Sequence, residues 1–125
     1  MNKVHTDLAP AAVGPYSQAV KVNGMVYLSG QIPIDPTTGQ IVEGAIREQT
    51  LQVMKNLSAV LSASNSDMDH VVKTTCFLAD INDFTAFNEV YAEYFVNKPA
   101  RSCVAVKDIP KGVFVEVECI AVCKD

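Results

Sequence analysis

The sequence predicts a two-layer α+β domain in which two helices cover one face of a mixed β-sheet. Three observations carry that expectation. Asn23-Gly24 separates two β-prone runs and marks a tight hairpin. Two stretches, about 45–63 and 83–96, place apolar residues on one stripe at helical spacing. The runs 71–79 and 113–122 are rich in β-branched residues and read as strands. At 125 residues, 1–125 is expected to be a single domain, long enough to bury a core.

Residues 1–16 contain Pro10, Gly14 and Pro15 and read as an irregular entry ending in Tyr16, a polar-tipped aromatic. The hairpin spans 17–29, because a type I′ turn needs positive φ at both central residues and Asn-Gly supplies it. Its second strand runs out at Ser29-Gly30-Gln31, where Gly30 serves as a strand terminator or, having no Cβ, lets a ligand approach main-chain groups. Asp35 to Gly39 form a loop or turn. In the first helix Ile46, Val53, Met54, Leu57, Val60 and Leu61 make the apolar stripe, while Arg47, Gln49, Gln52, Lys55 and Asn56 read as its solvated face. Glu43 and Glu48 suit its positive amino end, and Asn65 tolerates the left-handed conformation that stops such a helix. Asp80 or Asn82 can cap the second helix, whose Phe84, Phe87, Tyr91, Tyr94 and Phe95 read as core, with Asn88 bordering that face.

The stretch Pro99–Glu118 carries the unusual chemistry. Arg101 begins one strand, and Glu116 and Glu118 interrupt the valines of another. Asp108, Pro110 and Gly112 punctuate the interval, so an antiparallel hairpin is expected. In one register Cys103 lies opposite Glu116 and Arg101 opposite Glu118, all on one face; a slip of one residue removes that arrangement, and a plain solvent-facing side accounts for the pattern equally. Arginine's planar fork binds a carboxylate through two charge-assisted hydrogen bonds, which points to a small organic acid as ligand. No Ser-His or Cys-His pair is evident, which leaves a glutamate to handle protons on a water.

The net charge of −4 and pI near 5.0 give no electrostatic footprint for a phosphate backbone, so nucleic acid is disfavoured. No apolar run is long enough to span a bilayer or act as a secretory signal, and a cytoplasmic protein without membrane partners is expected. Cys76, Cys103, Cys119 and Cys123 fit no metal-ligand spacing and read as small apolar residues of core or interface, with Cys103, beside Arg101, the exception. Strands apolar on both faces leave one sheet face in need of cover, so self-association is expected.

The segment Pro99-Ala100-Arg101-Ser102-Cys103, with Ile109-Pro110, Glu116, Glu118 and Ile120-Ala121-Val122, resembles the signature of the RidA (YjgF-type) family of imine deaminases. Gly14-Pro15-Tyr16, Ser29-Gly30-Gln31-Ile32-Pro33, and Asp83-Phe84 with Asn88 match the same family, so the resemblance covers nearly the whole chain. It implies a chorismate-mutase-like fold, a homotrimer with pockets between neighbours, and hydrolysis of short 2-imino acids and enamines to 2-keto acids and ammonia. It implies that Arg101 holds the substrate carboxylate and that Glu116 delivers a water, helped by the carbonyl of Cys103. Tyr16, Ser29, Gly30, Gln31 and Asn88 would line the pocket, with no metal or cofactor. The connection before Arg101 is shorter than in many members. A non-catalytic trimer that binds small carboxylates in the same pocket is the alternative.

Overall fold

Asn23 and Gly24 take φ of 52° and 77°, the left-handed pair that a type I′ turn requires. They close the hairpin of β2 (Ala19–Val22) and β3 (Met25–Gln31). The entry segment, expected to be irregular, begins instead with an edge strand, β1 (Asn2–Val4), antiparallel to β2, because burial of Val4 and main-chain pairing outweigh the absence of a strand-like run. The turn at 35–39 is flanked by the two-residue strands β4 (Ile34–Asp35) and β5 (Gln40–Ile41). Then follow α1 (Ile46–Ala63), β6 (Val71–Leu78), α2 (Phe84–Tyr94), β7 (Ala100–Ala105) and β8 (Val115–Val122). The computed structural model describes residues 1–125.

The main sheet has the order β1-β2-β3-β8-β6-β7 and is mixed: β6 and β7 are parallel and every other pair is antiparallel. The stripe of α1 is buried as expected, and it packs with Phe87, Tyr91 and Phe95 against Val26, Cys76, Leu78, Val115, Val117 and Ala121 in one core. Asn65 ends α1 with φ of 56°. The helix start is held by Glu48, whose Oε1 accepts from the N–H of Ala45 at 2.7 Å, a satisfied donor at the positive end.

Two further expectations fail, each for a physical reason. The stretch 99–118 is not a hairpin: β6 lies between β7 and β8. The chain leaves β6, passes through α2 on the sheet face and returns as β7, and such a crossover makes neighbouring strands parallel. Arg101 therefore stands opposite Thr74, and Cys103 opposite Cys76. Glu116 stands opposite Phe77, and Glu118 opposite Thr75. Nor is one side of α1 wholly solvated. Gln49 and Asn56 are buried, at 5% and 1% exposure. Gln49 Oε1 accepts from the N–H of Phe114 at 2.7 Å, and Asn56 Nδ2 donates to the carbonyls of Ile32 and Ile34 at 3.1 and 2.9 Å. Buried amides persist where they close such main-chain bonds.

Alternation along β8 sends Val115, Val117, Cys119 and Ala121 into the core and Glu116, Glu118, Ile120 and Val122 to the far face. That face also shows Tyr27 and Val104, both 45% exposed. No helix is long and apolar enough to cross a membrane.

Candidate active site

A bulge shapes the first half of the site. Between Leu28, opposite Cys119, and Gln31, opposite Val117, β3 spends two residues, Ser29 and Gly30, where β8 spends only Glu118. Such an extra residue bends the strand and re-aims what it carries. Here it lays the main chain of Gly30 against the Glu116 side chain. A Cβ at Gly30 would overlap the Glu116 carboxylate, with Cδ only 2.8 Å away. The glycine is thus explained by a close approach, although the group that approaches is the chain's own carboxylate.

Ser29 is committed to the scaffold: its N–H donates to the Gln18 carbonyl at 2.9 Å and its hydroxyl to the Ser17 carbonyl at 2.5 Å. Gln31 is buried and its Nε2 reaches the Ser29 carbonyl at 3.3 Å. Tyr16 follows a turn in which its N–H donates to Gly14, whose φ is 133°, and its ring remains exposed. Tyr16, Ser29, Gly30, Gln31 and Glu116 line one cleft of about 810 Å³, with Pro10, Ile32 and Lys111 among the other walls. Burial raises the pKa of Glu116 above its ordinary value, and the neighbouring charge of Glu118 adds to the effect.

The second half lies on the opposite, helix-covered face. Arg101 projects from β7 toward α2, where its guanidinium sits 4.8 Å from the Tyr91 ring centre and 5.5 Å from that of Phe84. One N–H donates to Asn88 Oδ1 at 2.6 Å. The Tyr91 hydroxyl is fixed by Thr74 at 2.7 Å. None of the chain's ion pairs includes Arg101 or Glu116. A shallow groove of about 380 Å³ is lined by Arg101, Asn88, Tyr91, Phe95, Lys98 and Pro99. The aromatic stripe of α2 is therefore more than core: Phe84 and Tyr91 also form the floor that orients the arginine.

Of the residues singled out in the sequence, the structure brings Tyr16, Ser29, Gly30, Gln31 and Glu116 together. Arg101 and Asn88 meet each other elsewhere, and Cys103 lies on the same face as Arg101, half-buried. Two shaping residues escaped the sequence reading. Gln18, 2% exposed, accepts from the Thr6 N–H at 2.7 Å and donates to the carbonyls of Thr6 and Pro10 at 3.0 and 2.8 Å, which ties the cleft's amino-terminal wall to β2. Asn56 does the same for the wall at 32–34. The signal for Asn56 was present: Gln49, Val53, Asn56 and Val60 recur at the spacing of a buried helix face. No group of three or more His, Cys, Asp or Glu side chains is placed to hold a metal ion.

A family model described as Endoribonuclease L-PSP matches residues 6–123. The chain belongs to this family, the RidA (YjgF-type) proteins. Among its RidA relatives, the 2-iminobutanoate/2-iminopropanoate deaminase of Homo sapiens is 48% identical over 120 residues, spanning 95% of this chain and 88% of the relative. The crystal structure of RidA from an Antarctic Psychrobacter superposes with a TM-score of 0.94 at 43% identity, covering 98% of this chain and 99% of that one. The E. coli protein TdcF, solved with bound serine, gives a TM-score of 0.93 at 40% identity, with 98% of each chain covered. The expected RidA-type α+β fold is the fold observed.

Proposed function

We propose that this RidA-family chain hydrolyses short 2-imino acids, such as 2-iminopropanoate and 2-iminobutanoate, to 2-keto acids and ammonia. The reading rests above all on one observation: an arginine fork without a carboxylate partner in its own chain and a glutamate held at raised pKa beside an open cleft, on opposite faces of one sheet. Two such half-sites make one site only if copies of the chain meet, Arg101 and Asn88 coming from one copy and Tyr16, Ser29, Gly30, Gln31 and Glu116 from its neighbour. The uncovered apolar sheet face supports that association, and a homotrimer is the assembly proposed.

In such a pocket the Arg101 fork takes the substrate carboxylate, and Asn88 and the aromatic floor fix its orientation. A water held by Glu116 adds to the imine carbon while the carboxylate takes its proton; the main-chain carbonyl of Cys103 is proposed to help hold that water. From an imine protonated on nitrogen this gives a neutral aminoalcohol; Glu116 then returns the proton to nitrogen, the C–N bond breaks as ammonia departs, and the Glu116 carboxylate takes the hydroxyl proton as the carbonyl of the keto acid forms. An acid with a pKa raised toward the working pH can both accept and return that proton. The human relative's name and the serine bound to TdcF support a small amino-acid-like carboxylate as ligand. RNA cleavage, which the family's descriptive name suggests, is less well supported by a chain of net charge −4.

The test is ammonia release from 2-aminoacrylate generated in place by a dehydratase. Wild type should accelerate it. Arg101→Ala should lose activity with assembly intact, and Arg101→Lys should recover little, because a point charge does not reproduce the fork. An active Arg101→Ala variant would remove the arginine from the site. Inactive, correctly assembled wild type that still binds 2-keto acids would favour the non-catalytic reading.

A further inference from the structure

β7 is one of the two edge strands of the sheet, paired on one side only within the chain, and it carries a thiol directly opposite another. Cys103 and Cys76 are register partners across the parallel pair of β7 and β6. Thr74 and Arg101 are paired in the same way two residues earlier, on the same helix-covered face. All the cysteines are free. Cys76 is fully buried, whereas Cys103 is half-buried at the edge.

We propose that Cys76 and Cys103 form a reversible disulfide on exposure to peroxide, a modification site directly behind the Arg101 half of the pocket.

Neighbouring strands lie about 4.8 Å apart, inside the roughly 4.4–6.8 Å range of Cα separations that a disulfide spans. Side chains leaving parallel strands in register keep close to that spacing at Cβ, more than the ~3.8 Å a relaxed disulfide prefers. Closing the bond must therefore draw β7 inward. The edge strand can yield, having no strand paired to its outer side within the chain, and a bond closed under such tension is readily reduced again. Burial pushes the Cys76 thiol up to about 12, with Cys103 a minor contributor, and burial also raises the Cys103 thiol, opposed by the Arg101 charge and then by Cys76. Cys119 competes poorly. It faces the same core opposite Thr74, out of register with Cys76, on β8, which is clamped between β3 and β6.

The chemistry balances with peroxide as oxidant. The Cys103 sulfur attacks one peroxide oxygen, the O–O bond breaks, and the departing hydroxide takes the thiol proton as water, leaving a sulfenic acid. The Cys76 sulfur then attacks Cys103, the S–O bond breaks, and a second water leaves with the Cys76 proton. Two thiols are oxidised by two electrons and one peroxide becomes two waters. Pulling Cys103 inward displaces Arg101, two residues away on the same strand, from Asn88. That functional consequence rests on the proposed deaminase reading; the bond itself does not.

The full chain, treated with hydrogen peroxide and then alkylated, is digested with trypsin, which cuts after Lys73, Arg101 and Lys107 and so separates the two cysteines. A linked pair of peptides, 74–101 with 102–107, is expected, lost on reduction and absent from Cys76→Ala. Cys76→Val repeats the test should the smaller side chain fold poorly. Imine turnover of the oxidised wild type should fall about tenfold or more and return with dithiothreitol, while Cys76→Ala keeps its rate through the same treatment. Cys103 carried to sulfinic or sulfonic acid without a link to Cys76, or linked to Cys103 of another copy, overturns the proposal. A mapped Cys76–Cys103 bond with unchanged turnover sustains the modification site and instead counts against Arg101 as the substrate's anchor.

Discussion

Glu116 is expensive to keep charged where it sits. Burial is the larger cause and Glu118 the smaller, and both favour the protonated acid. A carboxyl whose folded pKa lies above its unfolded value contributes stability that is fully present below the unfolded pKa and is lost as pH rises through the folded one. At neutral pH Glu116 therefore weakens the fold, and Glu116→Gln should melt at a higher temperature than wild type there, with the difference shrinking as the pH falls through the folded pKa and gone below 4.5, the ordinary value. In the proposed reaction the same group should give kcat/KM an acid limb with a midpoint above that value, and the variant should be slower by about 10²- to 10⁴-fold. A wild-type profile flat from pH 5 to 8 would leave the base unassigned only if the folded pKa lay below that window, which the melting comparison measures directly. A destabilised Glu116→Gln would contradict the cause given for the shift.

At the scale of elements, the cleft is made by α1 gripping a loop. Asn56 supplies both of its amide protons to the carbonyls of Ile32 and Ile34 from inside the core. Asn56→Ala leaves those carbonyls without their donors and should cost about 1–3 kcal/mol in denaturant unfolding. Asn56→Asp, which turns only acceptors toward them, should cost more, and equal stability of Asp and Asn would refute this account of the wall. These elements show how far sequence reading reaches. The hairpin at Asn23-Gly24, both helices and the hydrophobic stripe of α1 were legible because each is decided by neighbours in the chain. The pairing of β7 was not. Period-two alternation says that Arg101 and Cys103 share a face, but which strand lies beside them depends on α2 crossing between β6 and β7, a long-range outcome. The strand-helix-strand order was the signal that argued for it. Likewise Ser29, Gly30, Gln31 and Glu116 were recognisable one by one, whereas the bulge that brings Gly30 under Glu116 is a property of the β3–β8 register.

For the whole molecule the decisive fact is that Arg101 and Glu116 occupy opposite faces of one sheet. If each site draws them from different copies, two inactive variants can repair each other. Arg101→Ala and Glu116→Gln, separately inert, should regain roughly a quarter of wild-type sites when unfolded together and reassembled at equal amounts, the share expected for random mixing in a cyclic homo-oligomer. No recovery from verified mixed oligomers would place both groups in the same copy's site. The sheet order has a further consequence, in time rather than in space. β8 joins β3 to β6 at the centre of the sheet, yet of all the strands it is the last to be made. Until it is made, the earlier hairpin and the β6-α2-β7 unit have no strand between them to complete a common core, and a growing chain holds apolar surface open through most of its synthesis. Stability should then arrive in one cooperative step, late, with the addition of a single strand.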